Sequence, residues 1–148
     1  MKLIIDADAA PKKVMEICRR AAADFSVPLV TVASFNHKIE SEHHITVGNA
    51  PQEADLRIIN LADKGDIVVT QDVGLAAILL GKGAAVISPA GRIYKQESIE
   101  FLLEERELKA RYRRSGGRTK GPRKRTSADD ANFKKNLYRL LEETLSPG

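Results

Sequence analysis

A chain of 148 residues, 43% hydrophobic and 30% charged, has the length of one domain and an ordinary globular composition. That excludes disorder over the whole chain, and no apolar run approaches the roughly 18–20 residues of a membrane span. The net charge of +4, from 24 Lys and Arg against 20 Asp and Glu, hides a segregation: residues 106–125 hold ten bases and one acid, Glu107, which leaves the other residues at −5.

Residues 2–7 (KLIIDA), an apolar run ending in acids, predict a buried strand. The run reaches Asp6 too soon for a secretory signal, so a cytoplasmic protein is expected. Pro11 suits the first turn of a helix, and Val14, Ile17, Cys18, Ala21 and Phe25 give residues 11–24 an apolar face. Cys18 on that face reads as core. As the lone cysteine it allows no internal disulfide, and no Cys/His zinc framework can be drawn. Residues 28–34 (PLVTVAS) and 44–48 (HITVG) predict two further strands. His37, His43 and His44 fall in the polar segment around them, which reads as an exposed loop and, as a lesser option, as metal ligands.

A helix is expected from Pro51, with Ala54, Ile58, Leu61 and Ala62 inward and Lys64-Gly65 as its stop. Residues 66–70 (DIVVT) predict a fourth strand, with Asp66 in the turn before it. A short helix follows from Asp72 to Leu80, broken by Gly81 and Gly83, then a fifth strand at 84–88. Ile99, Leu102, Leu103 and Leu108 mark a long helix over 97–112. Alternating helices and continuously apolar strands predict an α/β fold, an open and mostly parallel sheet of about five strands with helices on both faces. The domain is expected to occupy residues 1–113. Residues 114–128 read as a flexible basic linker, with Ser127 and Asp130 resembling a capping box. Residues 129–148 then form a C-terminal helix packing on the same domain, through Phe133, Leu137, Leu140, Leu141 and Leu145.

In such sheets ligands bind beyond the carboxyl ends of the strands. Asp6 and Asp8 end the first strand, Asp72 follows the fourth, and Glu53 and Asp55 lie in the first turn of the helix from Pro51. All five acids are placed to converge. Like charges brought together raise one another's pKa values, and a divalent cation relieves the repulsion. Oxygen-only ligands favour Mg²⁺ or Mn²⁺. Each acid has a structural explanation too: a turn for Asp8, an N-cap for Asp72, the helix dipole for Glu53 and Asp55. Thr70 and Gln71 are candidates for an outer shell, as are Asp129 and Asp130, for which helix capping is an equal explanation.

LIIDADAAP, GNAPQEADLRIINLA and GDIVVTQDVGLA resemble the acidic motifs of the PIN-like nuclease superfamily. With RTSADDANF added, nearly the whole chain resembles the YaiI/YqxD family of bacterial proteins. The resemblance to PIN-like enzymes implies Mg²⁺- or Mn²⁺-dependent phosphodiester hydrolysis. Asp6, Asp55 and Asp72 would then be catalytic metal ligands, with Glu53 beside Asp55 and Asp8 in an outer shell or at a second ion. The basic tail and final helix depart from the usual PIN pattern.

The basic segment is expected to hold a nucleic acid, RNA ahead of DNA, through Arg111, Arg113, Arg114, Arg118, Lys120, Arg123, Lys124 and Arg125. Two alternatives stand beside the nuclease. One is a non-catalytic nucleic-acid-binding module whose acidic site is vestigial. The other is a phosphatase of haloacid-dehalogenase type, in which Asp6 is the nucleophile and Lys82 the required cation.

Overall fold

The computed structural model describes residues 1–34, 43–48, 52–121 and 123–146. Among these, β1 (Leu3–Asp6) leads through a 3-10 turn (Ala7–Ala9) into α1 (Lys12–Phe25) and β2 (Leu29–Ser34). Then come β3 (His43–Val47), α2 (Glu53–Leu61), β4 (Ile67–Val69), α3 (Val73–Gly81), β5 (Ala85–Ile87), α4 (Gln96–Arg114) and α5 (Ser127–Leu145). The sheet order is β3-β2-β1-β4-β5, and each of its four pairings is parallel. A lone antiparallel bridge joins Ile87 to Ile93. No helix among the described residues is long and apolar enough to cross a membrane. His37 and Pro51 lie outside the described residues.

The apolar strands are explained by two cores. Successive strand residues face opposite ways, so Leu3, Ile5, Ile67 and Val69 join α1 and α5 on one face. Ile4 and Val68 join Ile58, Leu75, Leu79 and Ile99 from α2, α3 and α4 on the other. Most of the expected inward residues of α1 and α5 meet: Val14, Ile17, Cys18 and Ala21 pack with Phe133, Leu137, Leu140 and Leu141, whereas Leu145, at the end of α5, is exposed. Cys18 is fully buried, and burial pushes its thiol far above the ordinary range. Asp66 serves the fold as expected: its buried carboxylate accepts from the Lys2 amide at 2.9 Å, Lys2 Nζ at 2.7 Å and the Asp63 amide at 2.8 Å.

Three expectations need correction. Leu108, one of the apolar residues that mark the long helix, is exposed together with Phe101 and Tyr112. Helix α4 sits at the rim, and Ile99 is its one buried residue. The capping box belongs to Thr126 and Asp129, because Thr126 is the last extended residue before α5, and its amide donates to Asp129 Oδ2 at 2.9 Å. The basic stretch between helices is residues 115–126, and its end is anchored: Arg123 pairs with Asp129, while Arg125 bonds Asp130 at 2.8 Å and the Pro89 carbonyl at 2.7 Å.

Helix α5 docks by close backbone approach. Asn132 and Asn136 donate to the carbonyls of Ala90 (2.9 Å) and Gly91 (2.7 Å). Gly91 has φ +93°, and a Cβ there would lie 2.8 Å from the Phe133 backbone nitrogen. Only glycine accepts both conditions. In urea unfolding, Phe133→Ala is expected to cost about 3–5 kcal/mol and Gly91→Ala about 1–3 kcal/mol. Unchanged midpoints in both variants would contradict this docking.

Candidate active site

β1 and β4 are neighbours, but the chain continues from them in opposite directions, from β1 to β2 and from β4 to β5. That divergence leaves a crevice at their carboxyl ends, the usual binding place of a doubly wound sheet. Here a cleft of about 380 Å³ is lined by Asp6, Asp8, Ser34, Asp55, Gln71 and Asp72, with Gly48, Gln52 and Ala54 at its side.

Each acid is held differently. Asp6, at 8% exposure, accepts a hydrogen bond from Thr70 Oγ1 at 2.9 Å. Thr70 Oγ1 in turn accepts from the Asp72 amide at 3.1 Å, so one hydroxyl ties the end of β1 to the start of α3. Asp72 caps α3 through the Leu75 amide at 3.2 Å, as a helix N-cap should, and its Oδ1 also faces Arg106 Nη1 at 3.3 Å. Asp8 accepts from the Ser34 amide at 3.0 Å and from its hydroxyl at 3.2 Å. Asp55 stands within hydrogen-bonding reach of Asp72.

These surroundings shift the carboxyls. Burial pushes Asp6 up to about 6; the Thr70 bond opposes it, and the charges of Asp55, Asp8 and Asp72 reinforce it. Asp55 is also raised, by burial first, then by the charge of Asp72 and the hydrogen bond to it, with Arg106 opposing.

Asp6, Asp8, Asp55 and Asp72 therefore come together, with Thr70 beneath and Gln71 on the wall. Glu53 is not among the residues that line the cleft; its carboxylate folds over Gly48, where a Cβ would collide with it. Asp129 and Asp130 are engaged at the start of α5, and Asp130 lines a different groove, with Lys13, Arg20 and Tyr138. Lys82, the cation named for the phosphatase alternative, lies past the far end of α3, donating to the Ile59 carbonyl, and is not among the residues that line the cleft. His44 contacts Thr31 Oγ1 at 2.6 Å within the sheet.

Among the described residues, no three His, Cys, Asp or Glu side chains stand ready to hold a metal ion. The reason is visible: Asp72 and Asp8 direct oxygens at protein donors. The sequence reading missed Arg106, whose approach to Asp72 depends on the packing of α4 beside α3. Gly74 makes room for it, since a Cβ there would lie 3.2 Å from Arg106 Nη1. Ser34 was missed as well; nothing in a β-rich run marks it as the holder of Asp8.

The basic segment is partly consumed by the protein. Arg111 and Arg114 both bond Glu107 at 3.3 Å, and Arg113 bonds Thr119 at 3.1 Å. Arg118, Lys120 and Lys124 are exposed.

A family model described as "Uncharacterized BCR, YaiI/YqxD family" matches residues 4–143. The chain belongs to the YaiI/YqxD family. It is 56% identical over 143 residues to a UPF0178 protein of Heliobacterium modesticaldum, covering 97% of this chain and 98% of that protein. A UPF0178 protein of Clostridium tetani is 43% identical over 143 residues, covering 95% and 97%. One of Listeria monocytogenes serotype 4b is 42% identical over 144 residues, again covering 95% and 97%. No solved structure matches the chain at a significant level. The family match takes in β1, the cleft and most of α5, so the terminal helix is part of the family's fold.

The raised Asp6 pKa predicts a pH effect on stability. Folding lifts this carboxyl from 3.8 to about 6, so its ionised form disfavours the folded chain. The cost is absent below about pH 4, grows as pH rises toward 6, and is fully present above. In chelator, Asp6→Asn should therefore raise the unfolding midpoint at pH 7.5, by at most about 3 kcal/mol of stability, and change little at pH 4. Thermal melts at both pH values check this; no gain at pH 7.5 would contradict it.

Proposed function

We propose that this chain is a Mg²⁺- or Mn²⁺-dependent nuclease of PIN-like fold, acting on phosphodiesters of RNA in preference to DNA. The observation that carries the reading is the convergence of Asp6, Asp8, Asp55 and Asp72, from three separate chain segments, in one cleft at the switch point of the sheet. Burial first, and their mutual repulsion after it, raise Asp6 and Asp55, and a cation with hard oxygen preference would relieve both. The donor set has the right chemistry, and Asp6, Asp55 and Asp72 are the residues that would hold the ion. Such an ion lowers the pKa of bound water and stabilises charge in an in-line phosphoryl displacement.

The side chains divide the remaining work. Thr70 fixes the orientation of Asp6, and Ser34 fixes Asp8 at the rim. Arg106 supplies positive charge at the mouth, where a phosphate would otherwise meet carboxylates alone.

One observation favours a non-catalytic nucleic-acid-binding module instead: the described acids are turned to protein donors and do not form a ready ion cage. Calorimetric titration with Mn²⁺ separates the two. The nuclease reading expects binding in the wild type that is lost in Asp6→Asn. It also expects Mn²⁺-dependent cleavage of RNA oligomers that falls at least ~10–100-fold in Asp6→Asn and Asp72→Asn. An absence of Mn²⁺ binding by the wild type, with oligonucleotide present, decides for the module.

A further inference from the structure

A second groove, of about 300 Å³, opens on the α4 side of the acidic cleft. Its wall holds four cations, Arg92, Arg106, Lys109 and Arg113, against one acid, Glu105, with Val73 and Leu102 as its apolar part. Arg106, Lys109 and Arg113 share one face of α4 by their spacing of three and four. They span about 10 Å along the helix axis. Arg92 reaches the groove from the turn after β5, where its backbone is fixed: its amide donates to Ser88 Oγ at 3.0 Å, while its carbonyl accepts from the Ser88 amide at 2.8 Å.

The partners of these cations leave charge to spare. Lys109 pairs with Glu105 at 3.0 Å, and Arg113 bonds a neutral hydroxyl, Thr119. All four cationic side chains belong to exposed residues. Arg106 belongs to both places, lining the groove while its Nη1 faces Asp72 in the cleft. The groove and the cleft thus meet at one guanidinium.

We propose that this groove, rather than the basic stretch after α4, is where the phosphate backbone of a single-stranded polynucleotide lies as it enters the acidic cleft. Three of the four cations are Arg, whose planar fork matches phosphate oxygens two at a time. Of the basic residues predicted from sequence, Arg111, Arg114, Arg123 and Arg125 already serve Glu107, Asp129 and Asp130. The proposal takes its substrate class from the nuclease reading, but its central measurement is binding and needs no cleavage.

The test is fluorescence anisotropy of a short labelled single-stranded RNA, in chelator, over a range of salt. It compares the full-length wild type with a groove variant, Arg92→Gln/Lys109→Gln/Arg113→Gln, and a variant of the later stretch, Arg118→Gln/Lys120→Gln/Lys124→Gln. The expected result is a loss of more than about tenfold in the groove variant, with the salt slope lowered by about 2, and a change within about threefold in the other. Arg92→Lys/Arg113→Lys should keep most of the affinity, and matching thermal melts exclude unfolding as the cause. Equal losses in both triple variants, a larger loss in the second, no binding by the wild type, or competition by polyglutamate as strong as by unlabelled RNA each overturn the proposal. If the groove variant loses binding while the wild type shows no Mn²⁺-dependent cleavage, the nuclease reading fails and the groove stands. If the wild type cleaves and the groove variant cleaves with unchanged KM, the groove fails and the nuclease stands.

Discussion

β1 runs through the middle of the sheet, with β2 on one side and β4 on the other, so Leu3, Ile4 and Ile5 are sealed from water on both faces. The next residue is Asp6. Its carboxyl arrives at the rim buried, and Thr70, just past the end of the neighbouring strand, answers it with a hydrogen bond. The rest of the site is arranged around that buried acid. Thr70 also receives the Asp72 amide, which sets the start of α3, and Asp72 in turn draws Arg106 across from α4.

Elsewhere in the molecule an acid brought to a buried position is neutralised. Asp66 meets Lys2 and two backbone amides, and although burial acts to raise its pKa, those partners bring it below the ordinary value. Asp129 is held low by the Thr126 backbone and Arg123. The same chain leaves Asp6 and Asp55 raised. This contrast within one protein separates acids that serve the fold from acids gathered with too little compensation, a distribution that concentrates at functional sites.

The second arrangement of charge is along α4. Its first half carries Glu97, Glu100, Glu104 and Glu105, and its end carries Lys109, Arg111, Arg113 and Arg114. Basic residues in the last turn suit the helix dipole, and Arg111 and Arg114 close on Glu107. The face that turns toward α3 and Arg92 gathers cations beside the acidic cleft. A cluster of one sign adjoining a cluster of the other gives the surface around Arg106 a steep potential, the kind of field that orients an approaching polyanion.

The alternation of strands and helices, most of the inward faces of α1 and α5, and the convergence of Asp6, Asp8, Asp55 and Asp72 were legible in the residue pattern alone. These follow from local periodicity and from the rule that every strand of a parallel sheet ends at the same edge, so neither needs knowledge of side-chain positions. Tertiary structure decided the rest. Glu53 shares the first turn of α2 with Asp55 but turns onto Gly48; Leu108 has the residue type of a core position and lies exposed at the rim. Arg106 is 34 residues from Asp72, and Arg123 and Arg125, read as free cations, are spent on Asp129 and Asp130. Such outcomes depend on which helix faces pack and which charges find partners across the fold, and those long-range choices leave no periodic mark in the chain.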